Sequence, residues 1–276
     1  MRFCNISFVI SVSYLLLGLG GCEMFSDEGG DGTSMDDTST WITMQGARYE
    51  MGKAHLVAAG PVHTVNVPTF DITRTEVTVA QYAQCVNSGF CSPPASDHDG
   101  CNWGLAGFEQ HPVNCVTWYQ ASQFCEWFGG RLLTEAEWEF AARSGGDSRD
   151  FPWGMDKPSC AFAVMTDAAG VSGCGNGRTW PVCSKPEGRT DQGLCDMAGN
   201  VYEWVEDNFH HTYDGTPPTD GSAWLDPDAT VAGFRVLRGA AYNAASADYL
   251  HVAGRANEPG TVEGDKYGIR CGRTPL

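Results

Sequence analysis

No cysteine occurs between Cys195 and Cys271, although the 276-residue chain contains twelve. That interval therefore offers neither a thiol nucleophile nor a thiolate metal ligand. Basic residues are scarce as well: 17 Lys and Arg face 34 Asp and Glu, for a net charge of −17. This balance argues against DNA, RNA and anionic lipid surfaces as partners, because affinity for them comes from Lys and Arg. No C-x-x-C pair is present, which argues against structural zinc. No repeat of fixed period is present either, which argues against a propeller or solenoid. Beyond residue 40 no stretch has linker composition, so the remainder reads as one domain. The longest apolar run, about Ile6 to Leu17, is shorter than the ~20 residues of a membrane span.

That run follows Arg2 and leads into Leu19-Gly20-Gly21-Cys22, which fits a lipobox. Residues 1–21 are thus expected to be a lipoprotein signal peptide and Cys22 its lipidation site. Glu23, rather than Asp, follows the cysteine, which is consistent with sorting to the outer membrane of a Gram-negative bacterium. The expected location is extracytoplasmic, with the membrane reached only through the N-terminal lipid. Removing residues 1–21 takes away Arg2 and no acid, so the net charge becomes −18. Residues 22–40, rich in Asp, Gly, Ser and Thr, read as an acidic tether too polar to bury a core. The domain is expected over residues 41–276.

Setting aside Cys4 and Cys22, ten cysteines remain behind an export signal, an even number that implies five disulfides in an oxidising compartment. The sequence leaves their pairing open. Neighbouring spacings point to Cys85–Cys91, Cys101–Cys115, Cys160–Cys174 and Cys183–Cys195, with Cys125–Cys271 remaining.

Local patterns place the regular elements. Trp41–Gly52 and Val62–Val67 alternate as strands, and Phe70–Thr78 continues into a helix capped by Thr78. Thr117 caps a second helix, with Trp118, Ala121, Cys125 and Phe128 at helical spacing and Gly129-Gly130 as its stop. Thr134-Glu135-Ala136-Glu137 is a capping box that starts a third. After Arg143, recurrent Gly, Pro, Asp and Cys replace regular periodicity. The reading is a loop-rich α+β domain held by disulfides. His210-His211 and His251 lack a third metal-ligand partner and read as exposed loop residues. Trp103, Trp153, Trp204, Tyr202 and Tyr242 read mostly as core.

Six segments in order carry a resemblance. They are Ile72-Thr73-Arg74-Thr75-Glu76-Val77-Thr78, His111-Pro112-Val113-Asn114-Cys115-Val116-Thr117-Trp118, and Gly130-Arg131-Leu132-Leu133-Thr134-Glu135-Ala136-Glu137-Trp138-Glu139. They continue with Phe151-Pro152-Trp153-Gly154, Asp196-Met197-Ala198-Gly199-Asn200-Val201-Tyr202-Glu203-Trp204, and the C-terminal pair Arg238–Ala244 and Tyr267–Cys271. Together they resemble the formylglycine-generating enzyme (sulfatase-modifying factor) family, over nearly all of residues 41–276. The resemblance implies a single irregular α+β domain related to C-type lectins.

The same resemblance implies an activity whose residues are missing. Catalytic members oxidise a protein cysteine with O₂ on a copper ion held by two thiolates, ligands that suit Cu(I). In the pattern Arg-Gly-Gly-Ser-aromatic-x-Cys-x-x-x-x-Cys, Ala244 and Tyr249 stand at the cysteine positions and Ala241 at the serine. Copper is therefore not expected. The family's structural disulfide is matched by Cys125 and Cys271, whereas a second one has no partners left at Ala142 and near Ala253. The family's calcium loop is matched by Asp196, the carbonyls of Gly199 and Val201, and Glu203, an all-oxygen donor set suited to Ca²⁺. A second calcium loop is not expected, because Ala163 stands where it begins with Asn.

These features combine into an expected pseudoenzyme. It would be a lipid-anchored, calcium-stabilised binding or scaffold module of the cell envelope, without catalytic residues, like non-catalytic lipoproteins of this superfamily. Its partner would be an envelope protein or a glycan, held in a groove formed by Tyr242, Tyr249, His251 and Arg255. The alternative is an oxidoreductase of the formylglycine-generating family acting on protein cysteine with O₂.

Overall fold

The computed structural model describes residues 41–227 and 233–276. The signal peptide, Cys22 and the tether lie outside the described residues. No helix among the described residues is long and apolar enough to cross a membrane.

The first alternating stretch divides into β1 (Trp41–Met44) and β2 (Ala47–Met51), which belong to different sheets. The break is at Gly46, where any Cβ would lie 2.5 Å from the backbone of Pro68 and Thr69. β2 pairs antiparallel with β3 (His63–Val67). β1 pairs with β4 (Phe70–Thr73).

Three helices follow, each opened by a threonine whose hydroxyl accepts the N3 amide while the N3 side chain accepts the threonine amide. Thr78 and Gln81 open α1 (Val79–Asn87), Thr117 and Gln120 open α2 (Trp118–Trp127), and Thr134 and Glu137 open α3 (Glu135–Ala142). β5 (Arg131–Leu132) lies between α2 and α3. All eight residues of α3 are buried, three glutamates among them.

The remaining elements are β6 (Tyr202–Asn208), β7 (Phe234–Arg238), the one-turn α4 (Ala247–Leu250), β8 (Arg255–Pro259), β9 (Tyr267–Gly268) and β10 (Cys271–Arg273). One sheet has the order β1-β4-β10-β5, and another has β8-β7-β6-β9, with β6 and β9 parallel. Strand alternation sends neighbouring residues of the second sheet into different cores. Val205 and Val236 join Met44, Phe70, Trp138 and Phe140. Trp204 and Leu237 join Tyr82, Phe124 and Ile269.

Five disulfides close the structure: Cys85–Cys91, Cys101–Cys115, Cys125–Cys271, Cys160–Cys174 and Cys183–Cys195. Four close short loops. Cys125–Cys271 joins α2 to β10 across 146 residues, with both cysteines fully buried.

Candidate functional site

The register of β6, β7 and β8 sorts their side chains between two environments. Leu237 pairs with Trp204 and with Ala256, while Arg238 pairs with Glu203 and with Arg255. The Leu237 and Ala256 side chains reach an open groove of about 360 Å³. Arg238 and Arg255 reach the acids of α3 instead.

The groove is walled by the Asn243–Tyr249 segment, by Ala256, Asn257 and Glu258 of β8, and by Tyr202, Lys266 and Tyr267. Ala244 is buried in its wall, and Tyr249 stands 58% exposed at its lip. The two positions that the resemblance sets against the family's reactive cysteines thus share one groove. Ala241 is fully buried beside it, packed with Val164 and Tyr242. The wall segment hangs on a disulfide-closed loop: the Thr166 amide donates to the Ala244 carbonyl (2.9 Å) and the Gly173 amide to the Tyr242 carbonyl (2.7 Å). Both amides lie between Cys160 and Cys174, which are half-buried and bonded to each other.

The four expected groove residues separate. Tyr249 lines the groove. Tyr242 is buried, its hydroxyl donating to Asp265 at 2.5 Å, and burial followed by this carboxylate raises its pKa. His251 is 5% exposed, not an exposed loop residue. Its Nδ1 accepts the Ala253 amide (2.9 Å), so Nε2 carries the proton that faces Asp150 at 3.2 Å. Burial lowers the His251 pKa against the opposing pull of Asp150. The Arg255 side chain is inaccessible, bonded to Glu135 at 2.6 and 2.9 Å and to the Ala58 and His210 carbonyls. The reason is strand alternation: Ala256 faces the groove, so Arg255 faces away. Of the other histidines, His210 stacks on Trp224 and bonds Asp226. Sequence patterning missed Asn243, Asn257, Glu258 and Lys266, because a half-exposed polar strand gives no periodic signal.

Below the sheet the charges are dense. Glu139 accepts from Arg238 (2.6 Å), Arg143 (2.8 Å) and the Gly52 amide (2.8 Å). Burial pushes the Glu139 carboxyl up, but the two guanidinium groups outweigh it and hold its pKa below the usual value. Asp207 accepts the Glu135 and Trp224 amides. Burial, and next the Glu135 charge, push its pKa up to about 7.

The expected calcium loop lies at the edge of this region. Asp196, Gly199 and Asn200 all have left-handed backbones, with φ of 56°, 85° and 63°. A Cβ at Gly199 would lie 2.4 Å from the Val164 carbonyl oxygen, so glycine is required there. Glu203 is the counter-ion of Arg270, whose Nε lies 2.9 Å from both carboxylate oxygens, and it also accepts the Trp138 indole N–H at 2.6 Å. Asp196 accepts the Cys183 amide at 2.6 Å. Glu76 accepts from Asn200 with one oxygen and has no partner for the other. Three buried carboxylates therefore face one guanidinium. Burial and the Asp196 charge raise the Glu76 pKa well above normal, and burial also raises that of Asp196. Among the described residues no group of three or more His, Cys, Asp or Glu side chains has metal-holding geometry, so backbone carbonyls would have to complete any site. The orphaned Glu76 oxygen and the all-oxygen donors fit a hard divalent cation.

An irregular, disulfide-stapled α+β domain with an open groove beside a two-faced sheet is the class that the fold and site define. Over residues 31–275 the sequence matches the family described as the sulfatase-modifying factor enzyme 1-like domain, and the chain belongs to that family. It is 31% identical to the formylglycine-generating enzyme of Streptomyces coelicolor, covering 83% of this chain and 88% of that one. It is 32% identical to the serine/threonine-protein kinase Pkn1 of Chlamydia trachomatis over 77% of this chain, which spans only 34% of the kinase's length. Among solved structures, PvdO from Pseudomonas aeruginosa superposes with a TM-score of 0.73 at 27% identity, covering 87% of this chain and 96% of PvdO.

Proposed function

We propose that this protein is a lipid-anchored, extracytoplasmic binding or scaffold module of the cell envelope that uses the family fold without its cysteine-oxidase reaction. The observation that carries this reading is the chemistry of the groove: Ala244 and Tyr249 occupy the aligned cysteine positions and both line it. All ten cysteines from Cys85 to Cys271 are in disulfides, so the described residues offer no thiolate pair for copper. Neither alanine nor a tyrosine supplies a soft sulfur ligand. The residues at the groove therefore do not fit Cu(I).

Calcium belongs to the proposal in a structural role, with Asp196, Glu203 and the Gly199 and Val201 carbonyls as ligands. Bound there, it would favour the ionised form of the buried carboxyls beside Arg270. The lipid on Cys22 would supply the membrane attachment.

The alternative, a cysteine-oxidising oxidoreductase, is favoured by the near full-length match to a formylglycine-generating enzyme. Incubation with Cu(I), O₂ and a Cys-x-Pro-x-Arg peptide separates the two. The binding-module reading expects neither O₂ uptake nor aldehyde on the peptide, and turnover overturns it. Chelation is expected to lower the melting temperature, with recovery on adding Ca²⁺. An unchanged melting temperature removes calcium from the proposal.

A further inference from the structure

The groove presents polar groups that the protein itself leaves unused. The side chains of Asn243 and Lys266 line it without a hydrogen bond to any other described residue. Glu258 accepts the Tyr267 hydroxyl on one oxygen at 2.8 Å and turns its carboxylate toward the same space. An amide, a carboxylate and an ammonium thus supply both donors and acceptors around one opening.

Aromatic rings complete the lining. Tyr202 and Tyr267 are neighbours in the parallel register of β6 and β9, with ring centroids 6.5 Å apart. The Tyr267 ring is fixed, packing on Trp204 at 5.4 Å and donating its hydroxyl to Glu258. Tyr249 differs: it is 58% exposed at the lip.

This combination selects among ligand classes. A phosphate or carboxylate ligand wants several cations, whereas Lys266 is the groove's single cation and Glu258 offsets it. An apolar ligand wants a mostly hydrophobic lining, but the aliphatic lining here is Leu237, Ala244 and Ala256. An extended peptide wants pockets for alternate side chains, which two alanines do not provide. A neutral sugar wants an aromatic face for its C–H surface and planar amide or carboxylate groups for adjacent hydroxyls. The volume lies within the range of small-ligand sites.

Resting on the reading of this groove as a ligand site, we propose that it binds a neutral carbohydrate. A pyranose ring stacks on Tyr249, and Asn243, Glu258 and Lys266 bond its hydroxyls.

Saturation-transfer NMR on the full chain tests this with chito-, cello-, malto- and manno-oligosaccharides, and with the Cys-x-Pro-x-Arg peptide as a separate probe. At least one oligosaccharide is expected to receive saturation. Tyr249→Ala and Asn243→Ala are each expected to weaken that binding about tenfold at unchanged melting temperature, the loss that one aromatic contact or hydrogen bond represents. No transfer to any of the four overturns the carbohydrate assignment, as does transfer that neither substitution alters. If only the peptide binds and Tyr249→Ala abolishes it, the groove remains a ligand site but the carbohydrate is wrong. If no probe binds, the groove reading falls together with the carbohydrate.

Discussion

The two faces of the β8-β7-β6-β9 sheet share strands and differ in almost everything else. Toward α3, Arg238, Arg255 and Glu203 are buried in ion pairs with few free atoms. Toward the groove, their sequence neighbours Ala256 and Tyr202 meet a space with spare hydrogen-bonding capacity. One face is closed and the other left available. The pair teaches that framework and opening occupy separable surfaces of one sheet. The buried ion pairs lie on the inner face, so the side chains of the outer face are free of that structural duty.

Breaking the inner face is expected to have the largest effect. Arg238→Met takes from the fully buried Glu139 its 2.6 Å partner and leaves Arg143 as the one guanidinium on it, which should cost about 4 kcal/mol. Urea denaturation monitored by tryptophan fluorescence measures it. A loss below about 1 kcal/mol would mean that the network is not the stabilising element.

Removing the long-range staple comes next. Replacing both Cys125 and Cys271 with alanine frees a 146-residue loop, and about 3 kcal/mol should be lost in the same assay.

A pH titration sharpens the contrast further. The Asp207 carboxyl keeps its proton up to about pH 7 in the folded chain, whereas the unfolded chain releases it near pH 4. Folding therefore takes up a proton between those values, and this contribution to stability declines as pH rises through the window, levelling off above pH 7. Denaturation midpoints from pH 4 to 8 should lose that slope in Asp207→Asn. The variant should also be weaker throughout, because one amide oxygen cannot accept both backbone N–H groups that Asp207 serves. A slope unchanged in the variant would assign the dependence to another group.

The smallest effect belongs to the groove. Tyr249→Ala should change stability by less than about 0.5 kcal/mol, as for an exposed site. A larger loss would show that the lip supports the fold.

Local chemistry made much of this fold legible. The threonine caps at 78, 117 and 134 sit where the sequence puts them, because capping is decided within four residues. The break at Gly46 was not legible, since it depends on Pro68 and Thr69 arriving beside it. The burial of α3 was hidden for a similar reason. Glu135 and Glu139 look solvent-facing until Arg255 and Arg238, about a hundred residues later, are brought beneath them. Tyr249 and Ala244 were readable as groove residues through the resemblance, but His251 and Arg255 were not separable from them without the strand register. Asn257 and Glu258 gave no signal at all, being polar residues on a short half-exposed strand.

The Cys160–Cys174 bridge ties the groove to the chain's redox history. The amides of Thr166 and Gly173 hold the wall from inside the loop that this bridge closes. With the bridge oxidised, the loop ends are pinned and the two amides act as fixed hooks. With it reduced, the wall keeps its hooks but loses the anchorage behind them, so the shape of the opening becomes a property of the compartment as well as of the sequence.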